Sequence, residues 1–195
     1  TMSARLDILV LLDRSGSMQD RRADHEGGLR SFVRDQQELM GDVRLTFVRF
    51  DSIDPCEVVF TAVPVTDVNP EALTLIPRGG TPLLDAIGAA LSRFAPEFTG
   101  PVVAMIITDG GENSSREWTK PRVQALVRAR EAAGWKVLYL GANVDAFAEA
   151  GAVGVAATGT MNYAATSKGI HAMYAANAVN LRSARQDMAQ GAGWA

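Results

Sequence analysis

Five oxygen-bearing side chains are spaced so that they could hold a hard cation. Asp13, Ser15 and Ser17 alternate within Asp13-Arg14-Ser15-Gly16-Ser17-Met18, so three oxygens can point to one side of a single loop. Thr81 lies in Gly79-Gly80-Thr81-Pro82, and Asp109 in Thr108-Asp109-Gly110. If Thr81 and Asp109 converge on the first loop, five ligands or ligand-supporting groups surround one point. Hard oxygen donors without histidine or thiolate suit Mg²⁺, which keeps several waters in an octahedral shell. Ca²⁺ usually recruits more carboxylates and carbonyls, and Zn²⁺ wants His or Cys. Mg²⁺, or Mn²⁺ in its place, is the ion expected.

Each piece also has a plain structural reading. Ser15 and Ser17 around a glycine suit a turn or a helix N-cap. Thr81 before Pro82 suits an N-cap with proline at the first helical position. Asp109-Gly110 is a common turn pair. Glu112, Asn113, Asn143 and Asp145 lie just beyond strand ends, where they could shape a partner's footprint.

The elements that would carry these loops alternate in type. Strands are expected at Arg5–Leu12, Val43–Phe50, Glu57–Val63 (as an edge hairpin partner), Val102–Thr108, Lys136–Leu140 and Val153–Ala157. Helices are expected at Leu29–Met40, Thr81–Phe94, Thr119–Ala133, Asp145–Ala150 and Ser167–Ala189. Near-continuously apolar strands alternating with helices predict a doubly wound α/β fold. It has a mostly parallel central sheet, one antiparallel edge strand and helices on both faces. In such sheets ligands bind beyond the carboxyl ends of the strands, where the polar loops above fall.

The string Asp13-x-Ser15-x-Ser17, then Thr81 in a Gly-Gly-Thr-Pro loop, then Asp109 in Thr-Asp-Gly, resembles the metal-ion-dependent adhesion site (MIDAS) of von Willebrand factor A (VWA) domains. All five positions are present in the family's order. The resemblance covers nearly the whole chain and implies a single VWA domain over 1–195 with its core at about 5–190. It implies that Ser15, Ser17 and Thr81 bind the metal directly while Asp13 and Asp109 act mainly through waters. Neutral hydroxyls in contact with a cation leave its charge poorly quenched, so an outside carboxylate can complete the shell. The function implied is recognition of an Asp or Glu on a partner protein, without turnover. Family members of the intracellular bacterial or phage-like type also suggest an ATPase companion.

An enzyme reading starts from the same Asp13, as the nucleophile of a Mg²⁺-dependent, haloacid-dehalogenase-like phosphatase. Such enzymes want a second aspartate two positions on, and this chain has Ser15 there. A nucleotide site is not expected, since neither Gly-x-Gly-x-x-Gly nor a Walker lysine follows a strand.

Composition bounds the rest. The 195 residues are 47% hydrophobic and 21% charged, which is ordinary for a globular chain. With 19 basic and 22 acidic side chains the net charge is −3, so the broad basic footprint of a nucleic-acid binder is missing. No apolar run approaches the roughly 20 residues that span a bilayer, and no secretion signal is seen. Cys56 is the only cysteine, which favours a reducing, cytoplasmic compartment. Its thiol is expected to be buried or half-buried and structural. His25, within the charged run Asp20–Glu26, is expected on a solvated loop, and His171 to be structural or exposed.

Overall fold

Two near-continuously apolar strands, β1 (Leu6–Asp13) and β4 (Val102–Thr108), lie side by side at the centre of a six-stranded sheet in the computed structural model. Every residue of both is buried, as expected of strands covered on both faces. The structure describes residues 5–142, 145–192 and 194. The other strands are β2 (Val43–Phe50), β3 (Glu57–Pro64), β5 (Trp135–Gly141) and β6 (Thr160–Asn162). Their order is β3-β2-β1-β4-β5-β6, all parallel except the β2–β3 edge pair. The helices are α1 (Arg22–Gln37), α2 (Leu83–Phe94), α3 (Lys120–Ala132), α4 (Ala146–Ala152) and α5 (Ser167–Ala189). None of them is long and apolar enough to cross a membrane.

Alternation along β1 divides the core into two layers. Leu6, Ile8, Val10 and Leu12 pack with Leu29 and Phe32 of α1 and Ile170 and Met173 of α5. Leu9 and Leu11 face the other way, with Ile87 and Phe94 of α2 and Val123 of α3. The expected doubly wound sheet with one antiparallel edge is therefore present. The strand order reverses between β1 and β4, whose carboxyl ends carry Asp13 and Thr108 in neighbouring strands. That reversal opens a crevice at the carboxyl ends.

Three expectations need correction. The first helix begins at Arg22, two turns before Leu29, and stops at Gln37, leaving Met40 97% exposed. Gly27 and Gly28 disguise this start. They break the apolar stripe, but Gly28 lets the Tyr174 ring lie against the helix where any side chain would overlap it. His25 is consequently no surface group. It is buried, its Nδ1 lies 3.0 Å from Tyr174 Oη, and its ring packs edge-on against Tyr163 and Tyr174. The third correction is at the last strand. Val153 and Val155 are buried in a loop, and Thr160–Asn162 forms the edge strand instead. Burial of alternate valines imitates a strand without any ladder partner. His171 is exposed beside Asp24, and Cys56 is half-buried, as expected.

Burial pushes the His25 pKa down to about 4. In the unfolded chain it returns to about 6.5. Between those values the unfolded chain takes up a proton that the folded protein refuses. Stability is thus untouched by His25 above pH 6.5 and falls as the pH drops, by about 2 kcal/mol at pH 5. We expect the melting temperature of the wild type to fall more between pH 7.5 and pH 5 than that of His25→Phe. Equal losses in the two proteins contradict this.

Candidate metal centre

Asp13 ends β1, and the chain then turns through Arg14–Ser17 into a short 3₁₀ segment, Gly16–Arg21. The turn is organised by the aspartate itself. Asp13 Oδ1 accepts from the Ser15 amide at 2.7 Å, and Asp13 Oδ2 accepts from Thr108 Oγ1 at 2.8 Å. Ser15 Oγ lies 3.1 Å from Ser17 Oγ, which donates to Asp109 Oδ1 at 2.8 Å. Four of the five expected site residues thus form one hydrogen-bonded chain across the β1 and β4 ends.

Thr81 arrives from another loop. Gly79 has φ +65°, a left-handed conformation that lets this loop turn and bring its carbonyl to the Gly16 amide at 2.9 Å. The Thr81 amide donates to Asn113 Oδ1 at 2.8 Å, and the Thr81 carbonyl accepts from the Asn113 amide at 3.0 Å. Its hydroxyl is not used as a helix cap, because α2 starts two residues later, behind Pro82. A point one bond out from the Gly110 Cα lies 3.8 Å from Thr81 Oγ1 and 4.0 Å from Ser17 Oγ. Thr81 Oγ1 and Ser17 Oγ thus flank the same side of Gly110, which sets Thr81 beside the four hydrogen-bonded residues.

The gathering is asymmetric. Asp13, Ser15 and Thr81 are buried, Asp109 is half-buried and Ser17 is exposed, so the cluster opens to solvent on the Ser17 side. Burial pushes the Asp13 carboxyl up to about 6, against the Ser15 and Thr108 hydrogen bonds and with added repulsion from Asp109. Burial also raises Asp109, opposed by the Ser17 hydrogen bond. The adjacent Arg14 gives no relief, because its guanidinium turns away to Asp51 and Glu57. Two carboxylates raised by burial, with three hydroxyls around them, are a donor set that a hard divalent cation fits. Among the described residues no group of three His, Cys, Asp or Glu side chains is placed to hold a metal. Any ion here relies on the hydroxyls.

Two of the four neighbours that could shape a footprint, Glu112 and Asn113, bond within the site's own loops. Glu112 Oε1 accepts from the Ser114 and Ser115 amides, and Glu112 Oε2 accepts from the Leu84 amide and Ser115 Oγ. Asn113 fixes Thr81, as above. These two residues brace the site from inside the loop. Asp145 is exposed immediately before α4, whereas Asn143 lies outside the described residues. Sequence reasoning missed Thr108, Arg14, Asp51 and Arg78. Thr108 was hidden as the last residue of an apolar strand, and its hydroxyl position only follows from the β1–β4 register.

No family model and no curated protein matches the sequence. Solved structures match by fold. Proximal thread matrix protein 1 from the mussel byssus, with a zinc-occupied MIDAS motif, is 16% identical over 90% of this chain and 47% of its own, at a TM-score of 0.64. This chain therefore spans about half the length of that protein. The PilB minor pilin of Streptococcus sanguinis is 11% identical over 98% of this chain and 64% of its own, at a TM-score of 0.73. The vWF domain of the pilus tip protein Mfa5 from Porphyromonas gingivalis is 11% identical over 93% and 96% of the two chains, at a TM-score of 0.68. At such identities the likeness is one of architecture, and the chain has the α/β fold of von Willebrand factor A domains.

Proposed function

We propose that this chain is a metal-dependent protein-binding module. Ser15, Ser17 and Thr81 would hold Mg²⁺ or Mn²⁺ directly, with Asp13 and Asp109 acting through waters. When bound, the ion supplies an attachment point for an Asp or Glu carboxylate of a partner protein. The observation that carries this reading is the convergence of all five oxygen-bearing residues beside the solvent-facing Ser17. Asp13 holds the turn in shape through two hydrogen bonds, and Asn113 holds the Thr81 backbone. The zinc-occupied MIDAS of the mussel protein supports a divalent ion in this architecture. A cytoplasmic location and an ATPase companion are also proposed, on the lone half-buried Cys56 and the family resemblance. A pull-down from the native host tests the module. We expect a partner retained with Mg²⁺ and released by chelator, and retention unaffected by chelator contradicts it.

A proton competes with the ion for Asp13, whose pKa of about 6 lies close to neutrality. Mg²⁺ affinity should therefore hold steady above pH 7 and fall about tenfold per pH unit below 6. Calorimetric titration at pH 7.5 and pH 5 checks this, and equal affinities contradict it.

The phosphatase reading fits the geometry less well. Asp13 is 0% exposed and both its oxygens are occupied, by the Ser15 amide and the Thr108 hydroxyl. A nucleophile must be reachable. Where an acid–base carboxylate would stand, Ser15 instead faces Ser17. Hydrolysis of generic phosphoesters should stay at the uncatalysed rate with Mg²⁺ present. Magnesium-dependent turnover lost in Asp13→Asn would overturn the binding reading.

A further inference from the structure

A chain of charges, buried at Arg14 and Asp51, runs behind the two hydroxyl-bearing loops. Arg14 stands between Asp13 and Ser15, yet its side chain is 3% exposed and points away from them. Its Nε donates to the Ile76 carbonyl at 2.9 Å and lies 3.1 Å from Asp51 Oδ2, while its Nη1 bonds Glu57. Asp51, fully buried just past β2, is the shared acceptor of three segments. Its Oδ2 also takes Arg78 Nε at 2.6 Å, and its Oδ1 takes the Ile53 and Asp54 amides. Backbone bonds run alongside this pairing. The Arg78 amide donates to the Arg14 carbonyl at 2.7 Å, the Gly16 amide to the Gly79 carbonyl at 2.9 Å, and the Gly80 amide to Ser52 Oγ at 2.8 Å.

Ser15 and Ser17 therefore sit on one side of this seam, and Thr81 on the other. A buried ion pair is a weak device for stability, since a well-packed apolar pair of similar volume often serves the fold as well. What it supplies is a set position for the atoms it ties. We propose that Arg14 and Asp51 are positioning residues for the cation site, their buried pairing holding the Ser15–Ser17 loop and the Thr81 loop at ligating distance. The edge strand β3 joins through Glu57, which also takes Arg49 Nη2 at 2.8 Å. This rests on the metal-binding reading above.

The test uses three variants of the full chain. These are Asp51→Asn, the apolar double variant Arg14→Leu with Asp51→Leu, and Arg44→Gln. The last breaks an ion pair with Asp7 at the opposite end of β1, where Arg44 Nη2 lies 2.8 Å from Asp7 Oδ1. Mn²⁺ affinity is read by electron paramagnetic resonance, folding by circular dichroism and melting, and loop closure by amide exchange of the metal-free protein. We expect Asp51→Asn to weaken Mn²⁺ binding at least tenfold and to speed exchange at the Gly16 and Arg78 amides. The double variant should recover melting temperature without recovering Mn²⁺ affinity, and Arg44→Gln should bind Mn²⁺ like the parent. Parental affinity in Asp51→Asn, or in the double variant, would overturn the proposal. A wild-type chain that binds no Mn²⁺ would instead refute the metal reading. In that case unchanged exchange at Gly16 and Arg78 in Asp51→Asn refutes the positioning role separately.

Discussion

Saturating Mg²⁺ or Mn²⁺ should raise the melting temperature, and Asp13→Ala should abolish the rise. At about a hundred times its dissociation constant a ligand specific for the folded state adds about 2.7 kcal/mol. For a chain of this size that corresponds to roughly 5–10 °C. Asp13 is the residue to remove because it acts twice. Its carboxylate supplies negative charge to the site, and its two oxygens hold the Ser15 amide and the Thr108 hydroxyl that shape the turn. Asp13→Asn separates these roles, retaining an acceptor while losing the charge, and should keep only a small part of the shift. Melting curves with metal and with chelator decide it. Equal shifts in wild type and Asp13→Ala would remove the five-residue cluster as the binding site.

The largest stability loss is expected at Tyr174. It is buried on α5, its ring lies against the backbone of α1 at Gly28, and its hydroxyl meets His25 at 3.0 Å. Tyr174→Ala leaves a ring-sized cavity that Gly28 cannot fill and leaves His25 Nδ1 without its partner. The cost should be about 3–5 kcal/mol, in the range of large aromatic truncations. Tyr174→Phe keeps the ring and loses only the hydroxyl, for about 1 kcal/mol. Chemical denaturation of the three proteins gives both numbers. A Tyr174→Ala loss below about 1 kcal/mol would contradict the packing of α1 on α5.

What could be read from the amino acids and what could not divide along physical lines. β1 and β4 were legible because a strand buried on both faces must be apolar throughout, and few other elements look like that. The five oxygen-bearing residues were legible because their types and order are unusual together. Their convergence was not, since it depends on the β1–β4 register and on the left-handed turn at Gly79. The start of α1 was missed because Gly27 and Gly28 look like a break until the Tyr174 ring, far along the chain, occupies the space. His25 was misplaced for the same reason. A charged run looks solvated when neighbours from α5 are unknown. Arg14, Asp51 and Arg78 are separated by up to 64 residues along the chain and share one carboxylate, a pairing that no local pattern announces.

The most direct measurement is the water-proton relaxation of the Mn²⁺-loaded chain, titrated with a glutamate-containing peptide and with its glutamine counterpart. If a partner carboxylate completes the shell of an ion held at Ser15, Ser17 and Thr81, the acidic peptide displaces coordinated water and the relaxation enhancement falls. The glutamine peptide should leave it unchanged. An enhancement that survives saturation with the acidic peptide, or responds equally to both peptides, would contradict metal-mediated recognition of an acidic side chain.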